Sequence, residues 1–154
     1  MYYLAYGSNL NIIEIKQRSP FSKIIGSTYL YGYKLCFKGT NIGFLLIEPN
    51  ERSTVPIGIY KINKFDLKSL DKYESFPNFY YKKKIEFEYN GIITKGFIYI
   101  MNENFNYALP DSSYLRRCEI GYNDFNFDKS YLFDAINCTK NDINKEKFTR
   151  NMHL

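Results

Sequence analysis

The apolar pattern changes period several times along the chain, and each change marks an element. Tyr2 to Tyr6 is an aromatic and apolar run that suits a buried strand. It stops at Gly7-Ser8-Asn9, which has the composition of a tight turn. Leu10 and Ile13 then share one face of a short helix over residues 10–18, which Ser19-Pro20 ends. Asn9 is placed to cap that helix. From Ile25 to Phe37 the odd positions carry Ile25, Tyr29, Tyr31, Tyr33, Leu35 and Phe37. That alternation predicts a long, half-buried strand, bent near Gly32. A loop at Gly39-Thr40-Asn41 leads to a short strand from Phe44 to Ile47. Residues 48–53 read as a polar turn, and Val55 to Ile62 as a further strand with Pro56 near its start.

Helical spacing resumes after Asn63, an N-cap with Asp66 three residues on, close to a capping box. Leu67, Leu70 and Tyr73 form one apolar stripe, and Pro77 prevents the helix from passing Phe76. Glu74 therefore falls in the last turn or just beyond it, where the carbonyl end of a helix disfavours negative charge. With Tyr73, Phe76 and Phe79 excluding water, its carboxyl is expected to be more basic than usual. Ile85, Phe87 and Tyr89 alternate with charged residues up to Asn90-Gly91, and a second apolar run follows, which is a strong hairpin signal. Asp111 or Ser112 caps a helix bearing Leu115 and Cys118, with Gly121 as its stop. Asp128 caps another bearing Tyr131, Leu132, Ala135 and Ile136. This mixed order argues for an α+β fold, a small mixed β-barrel or strongly curved sheet with flanking helices. The expected organisation is one domain over residues 1–138 and a polar, frayed tail over 139–154.

Composition sharpens this picture in one respect. The chain is 19% aromatic, with 16 tyrosines and no tryptophan. A tyrosine has an apolar body and a polar tip, so many should line strands and cleft walls. The net charge of +5 is carried by scattered lysines, apart from Lys82-Lys83-Lys84. That triplet reads as a solvated strand edge, and with no second basic block no nucleic-acid partner is expected. Cys36, Cys118 and Cys138 form no CxxC pair, which suggests reduced thiols and a cytoplasmic location. The single histidine, His153, sits at the far end of the sequence, which argues against a histidine triad or zinc site. No signal-peptide pattern and no membrane-spanning apolar run are present, so no membrane partner is expected. Nothing in the pattern sets an oligomeric state.

A strand that stops at a glycine and feeds a capped helix leaves backbone N–H groups unpaired and pointing one way, a ready anion site. Gly7 lets a ligand approach the backbone closely. On these residues alone a plain strand-turn-helix is the better explanation, because short turn motifs recur by chance. Three motifs together go further. Tyr6-Gly7-Ser8-Asn9-Leu10 resembles the substrate loop of the γ-glutamylcyclotransferase-like family. Leu70-Asp71-Lys72-Tyr73-Glu74-Ser75-Phe76-Pro77 resembles the segment carrying that family's catalytic glutamate, with Tyr80 at the familiar distance. Pro110-Asp111-Ser112-Ser113-Tyr114-Leu115 with Gly121 resembles its late Pro-Ser-x-x-Tyr-Leu helix. The motifs stand in family order across residues 2–136. One departure is Ser75, where many members have glycine.

The resemblance implies a small mixed barrel with flanking helices. It implies ring closure of a γ-glutamyl group to 5-oxoproline, with release of an amine or amino acid and with no metal or cofactor. It marks Glu74 as the catalytic base, and Tyr6, Gly7, Ser8, Asn9, Leu10, Tyr80 and Tyr114 as substrate-binding residues. The residue chemistry fits. Glu74 can take the proton of the substrate ammonium and pass it to the leaving amine. The attack is intramolecular, so holding the substrate folded supplies much of the rate. Backbone N–H groups of Gly7 to Leu10 can hold the α-carboxylate or the developing oxyanion, and the three tyrosines can donate hydrogen bonds from the wall. Ser8 has no usable histidine partner, so it is expected to shape the loop rather than act as a nucleophile. Two other readings stay open: a γ-glutamylamine cyclotransferase with a different leaving group, and a non-catalytic small-molecule-binding module on the same fold.

Overall fold

Strand β1 (Tyr2–Ala5) is central because both of its faces and both of its edges are covered. In the computed structural model, which describes residues 1–152, it runs antiparallel to β3 (Phe44–Lys61) and parallel to β5 (Ile92–Met101). The sheet order is β4-β5-β1-β3-β2-β6, with β2 at Lys23–Gly39, β4 at Tyr80–Tyr89 and β6 at Asn106–Tyr107. Helices α1 (Ile12–Arg18), α2 (Lys64–Tyr73), α3 (Ser112–Asp124) and α4 (Ser130–Met152) complete the fold. The sheet curls until β4 faces the start of β2. There the Tyr89 hydroxyl donates to the Ile25 carbonyl at 2.8 Å, and Thr28 Oγ1 donates to the Glu88 carbonyl at 2.8 Å. The expected strongly curved sheet is therefore a six-stranded half-barrel. Lys82, Lys83 and Lys84 lie on its edge strand β4, as expected, although Lys82 also pairs with Asp71 at 2.9 Å. No helix of the described residues is long and apolar enough to cross a membrane.

Several local expectations are corrected. Residues 48–53 do not separate two strands. In the β2–β3 register Tyr31 faces Thr54 and Tyr33 faces Pro49, so residues 50–53 bulge opposite Gly32 alone. Gly32 has a φ of +85°, a conformation glycine adopts without penalty. The bend changes which face the odd positions take: Leu35 and Phe37 are buried, while Tyr29 and Tyr31 are exposed. Asn11, not Asn9, caps α1, and its side chain accepts from the Glu14 N–H at 3.3 Å. The buried residue of α1 is Ile15, and Ile13 is 71% exposed. The capping box of α2 forms as expected between Asn63 and Asp66.

Gly121 does not end a helix. It lies inside α3, where a Cβ would sit 2.6 Å from the Asn11 nitrogen and 2.7 Å from the Leu10 carbonyl carbon. The glycine lets α3 rest directly on the backbone that follows the Gly7–Asn9 turn. Nor is the chain frayed from Thr139 on, since α4 runs through to Met152. Its buried residues Leu132, Ala135 and Thr139 recur at helical spacing. The Thr139 hydroxyl accepts from the Phe37 N–H at 3.0 Å, which ties the helix to β2. His153 lies outside the described residues.

Candidate active site

A cleft of about 300 Å³ opens where the end of β1, the end of α2 and the face of α3 meet. The turn after β1 forms one wall. Its carbonyls are all engaged: Tyr6 with the Tyr122 hydroxyl, Gly7 with the Leu10 N–H, Ser8 with the Asn11 N–H, and Asn9 with the Tyr60 hydroxyl. No acceptor is found among the described residues for the N–H groups of Gly7, Ser8 and Asn9, and all three residues line the cleft. Leu10 is a correction. Its N–H closes the 3₁₀ turn on Gly7 at 3.0 Å, and its side chain is fully buried beneath the turn, against Gly58 and Gly121. It supports the loop and does not face the cleft.

Glu74 is the C-cap of α2, its N–H bonded to the Leu70 carbonyl at 2.9 Å. Its carboxylate is half-buried in the cleft, where Asn9 Nδ2 donates to Oε1 at 3.0 Å. Burial pushes its pKa up to about 7, against the Arg18 charge and the Asn9 hydrogen bond, which both pull it down. The floor around it is phenolic: Tyr3, Tyr6, Tyr80 and Tyr99. Burial holds Tyr6 and Tyr80 protonated well above the usual range, and the Glu74 charge adds to this.

The three expected tyrosines all line the cleft, but their protons are not equally free. Tyr6 donates to the Tyr99 carbonyl at 2.6 Å and Tyr80 to the Leu45 carbonyl at 2.8 Å. Their hydroxyl protons are thus spent on backbone carbonyls within the floor of the cleft. The Tyr114 oxygen accepts from the Leu45 N–H at 3.1 Å, so its own proton is not committed to that bond. Asn9 likewise faces inward, with both amide hydrogens engaged by Tyr3 and Glu74.

Sequence reasoning missed the polar network behind this wall. Arg18 reaches across α1, donating to Asn9 Oδ1 at 2.7 Å and to Glu14 at 3.0 Å, with its guanidinium 3.5 Å above the Tyr73 ring. Arg117 donates from Nε to Glu14 at 2.7 Å and from Nη2 to the Tyr73 hydroxyl at 2.6 Å. That hydroxyl also meets Ser8 Oγ at 3.1 Å. Two signals were available: Glu14 and Arg18 stand four apart on one helix, and Arg117 stands three beyond Tyr114 on another.

Residues 3–121 match the family of gamma-glutamyl cyclotransferases, AIG2-like. The chain belongs to this family. Every residue lining the cleft, from Tyr3 to Arg117, falls within the stretch that carries the family pattern. Helix α4 lies beyond it. The half-barrel of the family recurs in solved structures. One is a gamma-glutamyl cyclotransferase at 24% identity and a TM-score of 0.76, aligned over 87% of this chain and 85% of the other. A second is an uncharacterised protein from Homo sapiens, at 24% identity, a TM-score of 0.77 and the same two coverages of 87% and 85%. A third is YkqA from Bacillus subtilis, at 20% identity and a TM-score of 0.70, where 99% of this chain spans 54% of the other. No curated protein matches the sequence.

Proposed function

We propose that this member of the gamma-glutamyl cyclotransferase, AIG2-like family cyclises a γ-glutamyl group to 5-oxoproline and releases the attached amine or amino acid. The observation that carries this reading is the Glu74 carboxyl, held at about pKa 7 in a cleft that is also lined by a turn with unpaired backbone N–H groups. A base poised near neutral pH has both a useful ionised fraction and a useful strength.

In the reaction Glu74 takes one proton from the substrate's α-ammonium. The freed amine attacks the γ-carbonyl carbon, forming the ring C–N bond. Negative charge builds on the carbonyl oxygen, and the N–H groups of Gly7, Ser8 and Asn9, whose residues line the cleft, would meet it or the α-carboxylate. The bond from that carbon to the leaving nitrogen then breaks as protonated Glu74 returns the proton there, and the second proton of the new ring nitrogen passes through the regenerated carboxylate to the released amine, which leaves as its ammonium. Tyr3, Tyr6, Tyr80 and Tyr99 keep bulk water from the carboxyl and favour the compact substrate conformation that ring closure needs.

The test is mass spectrometry of a library of γ-glutamyl amino acids and γ-glutamyl amines after incubation with the purified chain. The expected result is stoichiometric appearance of 5-oxoproline and the released partner from at least one compound. No 5-oxoproline from any compound, with ligand binding retained, would favour a binding module instead.

A further inference from the structure

At the rim of the cleft Arg117 has a donor capacity that its neighbours do not fill. A guanidinium carries five N–H groups. Arg117 uses Nε on Glu14 and one Nη2 hydrogen on Tyr73, and no acceptor is found among the described residues for the rest. Its charge is also only partly matched. The one carboxylate beside it, Glu14, is shared with Arg18 through the same oxygen, Oε1. Arg18 in turn is the cation that acts on Glu74, and its guanidinium is held by Glu14, Asn9 and the Tyr73 face. Arg117 is thus the guanidinium that lines the cleft with hydrogens to spare. The same cleft has an aromatic wall, where Phe44 packs edge-on against both Tyr114 and Phe79.

We infer that Arg117 selects the leaving group, favouring one that carries a carboxylate beside the scissile nitrogen, so that amino acids are released in preference to simple amines. This rests on the cyclisation reading above. With the reacting amide at Glu74, the departing half points out past Tyr73 and Ser8 toward Arg117. A leaving amino acid presents its carboxylate to the guanidinium and its side chain to the Phe44–Phe79 wall. A leaving amine fills the second place and leaves the first empty. A charge-assisted hydrogen bond at a half-exposed arginine is worth roughly ten- to a hundred-fold in discrimination.

The test compares γ-glutamyl-alanine with γ-glutamyl-alaninamide, which differ in one charge at nearly constant shape. The parent is expected to show a kcat/KM ratio of roughly ten or more in favour of the acid. Arg117→Gln should bring that ratio close to one, and Arg117→Lys should retain part of it. A parent ratio near one, or a preference for the amide, overturns the inference. So does an equal loss on both substrates in Arg117→Gln. That pattern would place Arg117 in structural support, or on the glutamyl α-carboxylate that both substrates share. Should neither compound, nor any member of the library, yield 5-oxoproline, calorimetric binding of the same pair separates the two ideas. A preference for the acid that Arg117→Gln abolishes keeps the arginine's role while cyclisation falls. Equal binding removes both.

Discussion

Asn9 Nδ2 lies 3.0 Å from Glu74 Oε1, joining the turn after the first strand to the end of the second helix. The same amide nitrogen holds the Tyr3 hydroxyl at 2.8 Å, and the amide oxygen takes the Arg18 guanidinium at 2.7 Å. One buried side chain therefore sets the position of the carboxylate and of the cation that moderates it.

Asn9→Ala should leave Tyr3, Arg18 and Glu74 short of a partner together. Leaving such groups unpaired costs about 1–3 kcal/mol, to be read as a lower melting temperature. The hydrogen bond favours the charged form of Glu74, so its loss moves the carboxyl's titration upward. The acid limb of the kcat/KM profile should then move to higher pH. A profile that stays in place would show that burial and Arg18 set the titration without help from Asn9.

Glu74→Gln should abolish turnover, by roughly two to four powers of ten, while a γ-glutamyl ligand still binds. It should also change the pH dependence of stability. The folded chain keeps the Glu74 proton to about pH 7, whereas the unfolded chain loses it in the ordinary carboxylate range. Between those values the folded state binds more protons, so its stability falls as pH rises through that window. Gln carries no such titration. At pH 8 the variant should exceed the parent in stability by up to about 3 kcal/mol, and at pH 4 the two should agree. Denaturant melts at the two pH values measure this directly.

Gly121→Ala puts a methyl group into the Asn11 and Leu10 backbone, at distances of 2.6 and 2.7 Å before any relaxation. Overpacking of this kind costs about 1–3 kcal/mol. Because α3 also carries Tyr114 and Arg117 into the cleft, a helix pushed outward should raise KM as well. A variant that melts and turns over like the parent would mean that α3 shifts freely against the turn.

Ser75 has a φ of +51°, in the left-handed region that glycine adopts most easily. It is exposed, so trimming its side chain loses little packing. Ser75→Gly should be neutral or stabilising by up to about 1 kcal/mol. It should leave the position of Glu74 and the kcat unchanged. A drop in kcat with unchanged melting would make the Ser75 hydroxyl part of the cleft chemistry.

Local chemistry made much of this legible. The capping box at Asn63, the Asn90-Gly91 hairpin and the position of Glu74 follow from short-range rules. What failed was set by distant partners. Asn9 and Asn11 are equally good caps on paper, and only the arrival of Glu74 and Arg18 engages Asn9 elsewhere. Gly121 reads as a helix stop until Leu10 is known to lie beneath it. The odd-position tyrosines of β2 change face because of a bulge whose other half lies some twenty residues on. Arg117 was marked only by its spacing from Tyr114, since its meaning depends on Tyr73 and Glu14 from two other helices.

The parallel pairing of β1 with β5 has a consequence for how the molecule comes into being. Tyr3 and Leu4 meet Phe97 and Ile98 across more than ninety residues, so β1 must wait for nearly two-thirds of the chain before its second edge is covered. The long β2–β3 hairpin closes over a short loop and can form early, with low entropy cost. The ribosome thus releases the Gly7–Leu10 turn long before the sheet that holds it. A nascent chain halted short of Met101 leaves one edge of β1 open, and it is this edge that a chaperone or a second nascent chain would meet.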